Sequence, residues 1–373
     1  MITFFSLVIL IYSFGLLYAT NVYKRMPEIT ESGKLKSVSL IIPFRNEKEN
    51  LSVLIKSIKA IDYPKELLEI LFIDDHSEDD GASIIERSRD SIPFQMKLLK
   101  LSGLEMGKKA ALNFAVNEAK HEIILTTDAD CTLPSDLISK MQAPFELEHI
   151  NLVSGNVSFI SNSLVTNLFQ MEFAPLIGVG AVSIELGNPN MANGANLAFR
   201  KSIFKELDPY STNLNVPSGD DIFLLQKLKK AFPNSFYFQK EALVKTSSPK
   251  NLRQFYNQKK RWAAKWRASA DLKDAIPALM VWSFHLIYIC SLIYSVLYDS
   301  YLVLGPVILL KIMAESLFIY QVLKSQKSKF SITSFGILQL IYSLYVVVFG
   351  MIANFGSYQW KERQYNTNER AGN

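Results

Sequence analysis

VSLIIPFRNE, residues Val38–Glu47, is an apolar, β-rich run that stops at Pro43 and turns polar. A run of this kind reads as a buried strand that delivers the residues behind it to a sheet edge. The pattern recurs. Ile70–Ile73 runs into Asp74-Asp75-His76-Ser77, Ile123–Thr127 runs into Asp128-Ala129-Asp130, and Met96–Leu101 is a further apolar run. Between these, Glu49–Ala60, Ala82–Arg89 and Lys108–Ala119 carry helical spacing. Strand–helix alternation predicts an α/β fold with a mostly parallel sheet flanked by helices. Ligands of such sheets bind beyond the carboxyl ends of the strands.

Three strands thus bring acids to one sheet edge. Clustered carboxylates repel unless a cation sits among them, and Asp-x-Asp on a tight turn can offer two oxygens to a hard divalent ion. Alone, an Asp pair after a strand is an ordinary N-cap or Asx turn; recurrence at matched strand ends favours a site. Gly107-Lys108-Lys109 lacks the spacing of a phosphate loop, which argues against a nucleoside triphosphatase. His76 has no second His or Cys ligand nearby and reads as a turn residue.

The ends of the chain are apolar. Residues 1–23 have no charged side chain, and as a helix they would span ~34 Å, enough for a ~30 Å hydrocarbon core. Lys24 and Arg25 follow this run instead of preceding it, which predicts an uncleaved anchor. Residues 275–298 and 330–360 carry no Asp, Glu, Lys or Arg; 300–323 carry only Lys311 and Glu315, spaced to pair on one helix face. Three further spanning helices within 275–360 are expected, with 361–373 as a tail. The basic clusters at 24–36 and 324–329 place the N-terminus outside, the central domain in the cytoplasm and the C-terminus outside; Lys361, Arg363 and Arg370 fit that last placement poorly. Composition agrees with a membrane-attached globular domain: 49% of residues are hydrophobic, and charged residues, at 20%, are sparser than in an average soluble protein. A net charge of +5 is too mild to argue for nucleic acid, and two cysteines exclude a disulfide framework.

Two later segments complete the set. Ser218-Gly219-Asp220-Asp221 precedes the helical run Ile222–Ala231, with Ser218 as a candidate N-cap and the acids suited to the helix dipole. Gln258-Lys259-Lys260-Arg261-Trp262 is basic and aromatic, as expected of a helix at a membrane surface. The apolar segment Ser163–Leu186 reads equally as an interfacial helix or a core helix.

Taken in order, these pieces over residues 38–262 resemble the family 2 glycosyltransferases, specifically the membrane-embedded branch of cellulose, hyaluronan and ceramide-glucose synthases. The resemblance implies a GT-A fold for a cytoplasmic catalytic domain at 36–250, an interfacial segment at 251–274, and a nucleotide-diphosphate sugar donor (UDP- or GDP-sugar). By position, Glu47 and Asp75 match the residues that hold the nucleoside, with Lys108 near the nucleotide. Asp128 and Asp130 match the metal-binding Asp-x-Asp for Mg²⁺ or Mn²⁺, with Asp130 as direct ligand. Asp221 matches the general base and Asp220 its acidic neighbour on the acceptor side. Gln258, Arg261 and Trp262 match Q-x-x-R-W, whose polar members approach the diphosphate and whose Trp lines the acceptor site. Met191–Asn196 stands where cellulose synthases carry an aromatic-Cys-Gly finger, and the aromatic and Cys are absent. That departure, with only four expected spans, favours single-sugar transfer to a lipid or lipid-linked glycan at a bacterial plasma membrane. A processive polysaccharide synthase and a non-catalytic scaffold are the alternatives.

Overall fold

The structure is a computed structural model. It describes residues 1–29, 33–103, 105–214, 219–268, 272–352, 357–360 and 363–366.

The four expected strands form as β1 (Val38–Phe44), β2 (Leu68–Asp74), β3 (Gln95–Lys100) and β4 (Ile123–Thr126). β1, β2 and β4 are buried along their whole length. Strands covered on both faces show unbroken apolar runs, which is why these were legible. Leu40, Ile42, Ile70 and Phe72 belong to one core; Ile41, Leu71 and Ile73 belong to another on the opposite face. The helices between them are α2 (Lys48–Lys59), α3 (Gly81–Ser88) and α4 (Lys108–Glu118), following the N-terminal α1 (Ile2–Arg25).

Four more strands complete the sheet: β5 (Cys131–Thr132), β6 (Leu152–Phe159), β7 (Leu197–Arg200) and β8 (Phe236–Thr246). The order is β3-β2-β1-β4-β7-β6-β8-β5. β1 pairs in parallel with β2 and β4, β2 with β3, and β6 with β8; β7 runs antiparallel between β4 and β6, and β5 antiparallel to β8. The chain leaves β1 toward β2 and β3, then returns to lay β4 on its other side. The crevice at that reversal is where ligands of open α/β sheets bind.

Helices α5 (Leu137–Gln142), α6 (Leu164–Glu185), α7 (Lys201–Leu207), α8 (Asp220–Ala231) and α9 (Leu252–Ala268) pack on or beside the sheet. α6 starts with a capping box between Ser163 and Thr166. Ser218, the expected cap of α8, lies outside the described residues; Gly219 takes the N-cap position at φ 97°, a backbone conformation that favours glycine.

At the C-terminal end stand α10 (Leu272–Leu297), α11 (Tyr301–Ser325) and α12 (Ile332–Ile352). Helices α1, α6, α11, α12 and residues 276–297 of α10 are long and apolar enough to cross a membrane. α1 and α11 run side by side in the same direction: Tyr12 Oη donates to Glu315 Oε1 at 2.9 Å, and Tyr23 Oη lies 2.6 Å from Ser325 Oγ. α10 runs opposite to α1, with Phe284 stacked on Tyr12 at 3.8 Å and Tyr294 against Phe5. Lys311 and Glu315 pair at 3.0 Å, as their spacing predicts, and Gln339 of α12 closes the group by bonding both. The C-terminal end of α11 is fastened to the sheet, because Gln326 Nε2 donates to Val157 O of β6 at 2.9 Å.

Phe330, just before α12 in sequence, packs on Tyr320, near the sheet-side end of α11. Farther along, Tyr345 and Phe349 pack on Phe255 and Tyr256 of α9. α12 thus packs on α9 through its C-terminal half, while its Gln339 reaches Lys311 and Glu315 of α11. The expected helical run to 360 stops early. Helix ends at Ile352, and β9 (Ser357–Trp360) and β10 (Arg363–Asn366) form an antiparallel hairpin against α9. Tyr358 and Trp360 suit a strand.

Candidate active site

The exits of β1 and β2 are tied to each other. Arg45 Nη1 donates to the carbonyls of Asp75 (3.1 Å) and His76 (2.9 Å), and the Asp75 N–H donates to Phe44 O at 2.9 Å. His76 is a left-handed turn residue at φ 58°, its Nδ1 3.3 Å from Asp75 Oδ1. Glu47 and Asp75 are buried beneath this lip, and Glu47 Oε2 accepts from Asn50 Nδ2. At the end of β4 the Cys131 N–H donates to Asp128 O at 3.1 Å, closing the Asp128-Ala129-Asp130 turn.

α4 separates two lysines by function. Lys109 turns inward: its ammonium bonds the Asn213 carbonyl and side chain and lies 4.7 Å over the Phe223 ring. Lys108 faces the crevice, with Nζ 2.7 Å from Asp128 Oδ1 and 3.0 Å from Asp220 Oδ2. Burial alone would lower its pKa, but Asp128 and Asp220 outweigh burial and hold it well above the usual lysine value. Lys108 is thus a fixed cation joining the Asp-x-Asp turn to the start of α8. In that first turn Asp221 Oδ1 accepts from the Ile222 N–H at 2.9 Å, and the Asp220 carbonyl accepts from Tyr210 Oη.

Two cavities adjoin along this line. The first, about 150 Å³, is lined by Arg45, Glu47, Asp75, Lys108, Asp128, Asp130 and Arg261 among others. The second, about 240 Å³, shares Lys108, Asp128, Asp130 and Arg261 and adds Asp220, Asp221, Gln258 and Trp262. All ten residues singled out in the sequence line one or both. Gln258 Oε1 is buried with no hydrogen-bond partner among the described residues, an acceptor suited to a ligand hydroxyl or amide. A third cavity of about 410 Å³ opens among α1, α6, α10, α11 and α12, mostly apolar, and shares Leu176 and Met191 with the second.

The sequence reading noted Met191–Asn196 only for the aromatic and Cys that it lacks and gave it no place in this wall. Residues 191–195 line the second cavity, and Gly194 carries the Lys108–Asp220 contact beneath it. A Cβ at Gly194 would stand 2.6 Å from Asp220 Oδ2 and 3.1 Å from Lys108 Nζ. The absence of side-chain bulk in Asn193-Gly194-Ala195 was the available signal. Phe173 of α6 and Arg45 were also unassigned.

Among the described residues no three His, Cys, Asp or Glu side chains gather into a metal cage. The Asp128 and Asp130 carboxylates nevertheless suit a hard divalent ion that keeps positions for phosphate oxygens, the way Mg²⁺ is usually held.

The profile of the family described as "Glycosyl transferase family 2" matches residues 39–208. Residues 39–208 are thus similar to a family 2 glycosyltransferase domain. The poly-beta-1,6-N-acetyl-D-glucosamine synthase of Staphylococcus epidermidis is 27% identical over 237 residues, covering 63% of this chain and 55% of that protein. An N-acetylglucosaminyltransferase of Rhizobium meliloti is 29% identical over 246 residues, covering 63% of this chain and 57% of that protein. The matches span little more than half the length of these relatives. Among solved structures, the mannosyltransferase PcManGT of Pyrobaculum calidifontis, in complex with GDP-Man and Mn²⁺, gives a TM-score of 0.57 at 15% identity. It covers 95% of this chain and 96% of that chain, a likeness of fold. The chain thus has a GT-A-like sheet with candidate membrane helices at both ends.

Proposed function

We propose that this glycosyltransferase moves one sugar from a nucleotide-diphosphate donor to a lipid-borne acceptor at the membrane surface, inverting the anomeric centre. The observation that carries the reading is the pair of adjoining cavities that share Lys108, Asp128, Asp130 and Arg261. Glu47 and Asp75, in the first cavity only, bind the nucleoside. Lys108 and Arg261, at the boundary, face the diphosphate; Asp221 and Trp262, in the second cavity, face the acceptor.

The chemistry follows from this division. An acceptor hydroxyl is a weak nucleophile, and Asp221 takes its proton as the oxygen attacks C1 of the sugar. The C1–O bond to the diphosphate breaks as the new bond forms, and Arg261 and Lys108 offset the charge gathering on the leaving group. A divalent ion on Asp130 and Asp128, when bound, supplies further positive charge for that leaving group. The names of the relatives make UDP-N-acetylglucosamine the first donor to try.

The lipid acceptor rests on the third cavity, which meets the acceptor cavity at Leu176 and Met191. Its exposed surface is mostly apolar, although Glu172, His285, Lys311, Glu315 and Gln339 also border it. Hydrocarbon suits such a lining, whereas a passing polysaccharide needs polar partners along its path. A processive synthase is the second reading, favoured by the relative named as a polysaccharide synthase. Mass spectrometry of the product from purified protein, a panel of UDP- and GDP-sugars and native lipid extract separates them. A lipid carrying one added sugar is expected; a ladder of many sugars on one acceptor selects the second reading.

A further inference from the structure

α9 has two faces. Gln258 and Arg261 reach the cavities, while Phe255, Lys259 and Trp262, at i, i+4 and i+7, face α6. Three contacts climb the two helices in step. Phe169 stacks on Phe255 at 4.6 Å, Glu172 Oε2 meets Lys259 Nζ at 2.5 Å, and Phe173 packs on Trp262 at 5.7 Å. The middle rung is a buried ion pair: the Lys259 and Glu172 side chains are only 6% and 7% exposed. The ammonium also lies 4.5 Å over the Trp262 ring and 5.2 Å over that of Phe255.

A buried ion pair is a poor source of stability, since desolvating both charges cancels much of their attraction and apolar residues of similar size do as well. Burial pulls the Lys259 pKa down more than Glu172 lifts it, which shows how large the desolvation is here. What a charge pair offers beyond an apolar one is a single register: slide α9 by one residue and both charges lose their partners inside the protein. The pair is also placed where register matters, one residue from Gln258, two from Arg261, and over the ring that walls the acceptor cavity.

We infer that Glu172 and Lys259 are positioning residues for transfer: on an α9 seated against α6 by Phe255, their ion pair sets the angle at which Trp262 walls the acceptor cavity. This rests on the site assignment proposed above. A second helix supports the arrangement, because Phe255 is held between Phe169 and Tyr345 of α12. The ladder leaves only the angular setting of Trp262 to the charges.

The test is the double variant Glu172→Leu/Lys259→Met, in purified full-length protein, with the donor that the wild type turns over from a panel of UDP- and GDP-sugars. The melting temperature in detergent is expected to match or exceed that of the wild type, and affinity for the nucleoside diphosphate with Mn²⁺ to change less than about threefold. Turnover with native lipid extract is expected to fall at least about tenfold, ~1.4 kcal/mol in transition-state terms. Lys259→Arg, which keeps the charge, should retain turnover. A stable double variant with unchanged turnover overturns the inference. Should the double variant not fold, Glu172→Asp withdraws the carboxylate by one methylene and carries the same expectation and the same overturning result. Asp221→Asn and Arg261→Ala run in parallel. If both keep full turnover, the site assignment fails and the inference with it; if both lose turnover and the pair variants do not, only the positioning role fails.

Discussion

Asp221 and Gly194 differ in kind, one reactive and one inert, yet both act on the same few ångströms of the acceptor cavity. Asp221→Asn keeps shape and removes the base, so turnover should fall ~10²–10⁴-fold with nucleotide binding nearly unchanged. Parallel turnover and calorimetric binding measurements check it; near-normal turnover would place the base elsewhere. Gly194→Ala adds one methyl 2.6 Å from Asp220 Oδ2. Either Asp220 or the loop must shift, so transfer should drop about tenfold or more while overpacking costs ~1–3 kcal/mol in stability. Divalent ion dependence belongs to Asp128 and Asp130: dialysis against EDTA should abolish transfer, and Mg²⁺ or Mn²⁺ should restore it. Full activity in excess EDTA would remove the ion from the mechanism. At this scale the sequence was highly legible, since strand-end acids announce themselves by type and spacing. Glu172, Phe173 and Gly194 were not, because their importance comes from what lies against them across the fold.

Among the elements, legibility followed burial. β1, β2 and β4 are enclosed on both faces and read as plain apolar runs. β7 has four residues and β5 two, too short to show a period, and β8 is broken in register against β6 at Gly155/Asn156. α6 is the hard case: apolar enough to span, yet its residues Phe169, Met171, Phe173 and Ala174 are buried against protein. Its close approach to α11 depends on Gly178, where a Cβ would stand 2.5 Å from Val322 Cγ2 and 2.8 Å from Phe318 Cζ. Gly178→Val should therefore lower the melting temperature in detergent, by an amount corresponding to ~1–3 kcal/mol. An unchanged melting temperature would mean that α6 and α11 can part without cost.

For the whole molecule, hydropathy located four of the five apolar helices that are long enough to span, but not their direction. From the contacts of Tyr345 and Phe349 with Phe255 and Tyr256 we propose that the C-terminus lies on the same side as the central domain, opposite to the side expected from the basic clusters. The hairpin packs against α9, and on that proposal Arg363 would accord with the positive-inside rule. Cysteines introduced at Lys327 and Ser357 should both resist an impermeant reagent in intact cells and react after permeabilisation. Labelling of the Ser357 site alone in intact cells would return the C-terminus to the side expected from the basic clusters; labelling of the Lys327 site would invert the orientation of the catalytic domain.

The bonds from Tyr12 to Glu315 and from Tyr23 to Ser325 join residues 303 and 302 positions apart in the chain. A ribosome adding ~5–20 residues per second needs roughly 15–60 s to travel between them. Throughout that interval α1, a candidate span, has the face destined for α11 uncovered while the central domain is synthesised. Biogenesis of this enzyme therefore has a built-in waiting period, in which the first helix is open to a chaperone, to an insertase, or to the wrong partner.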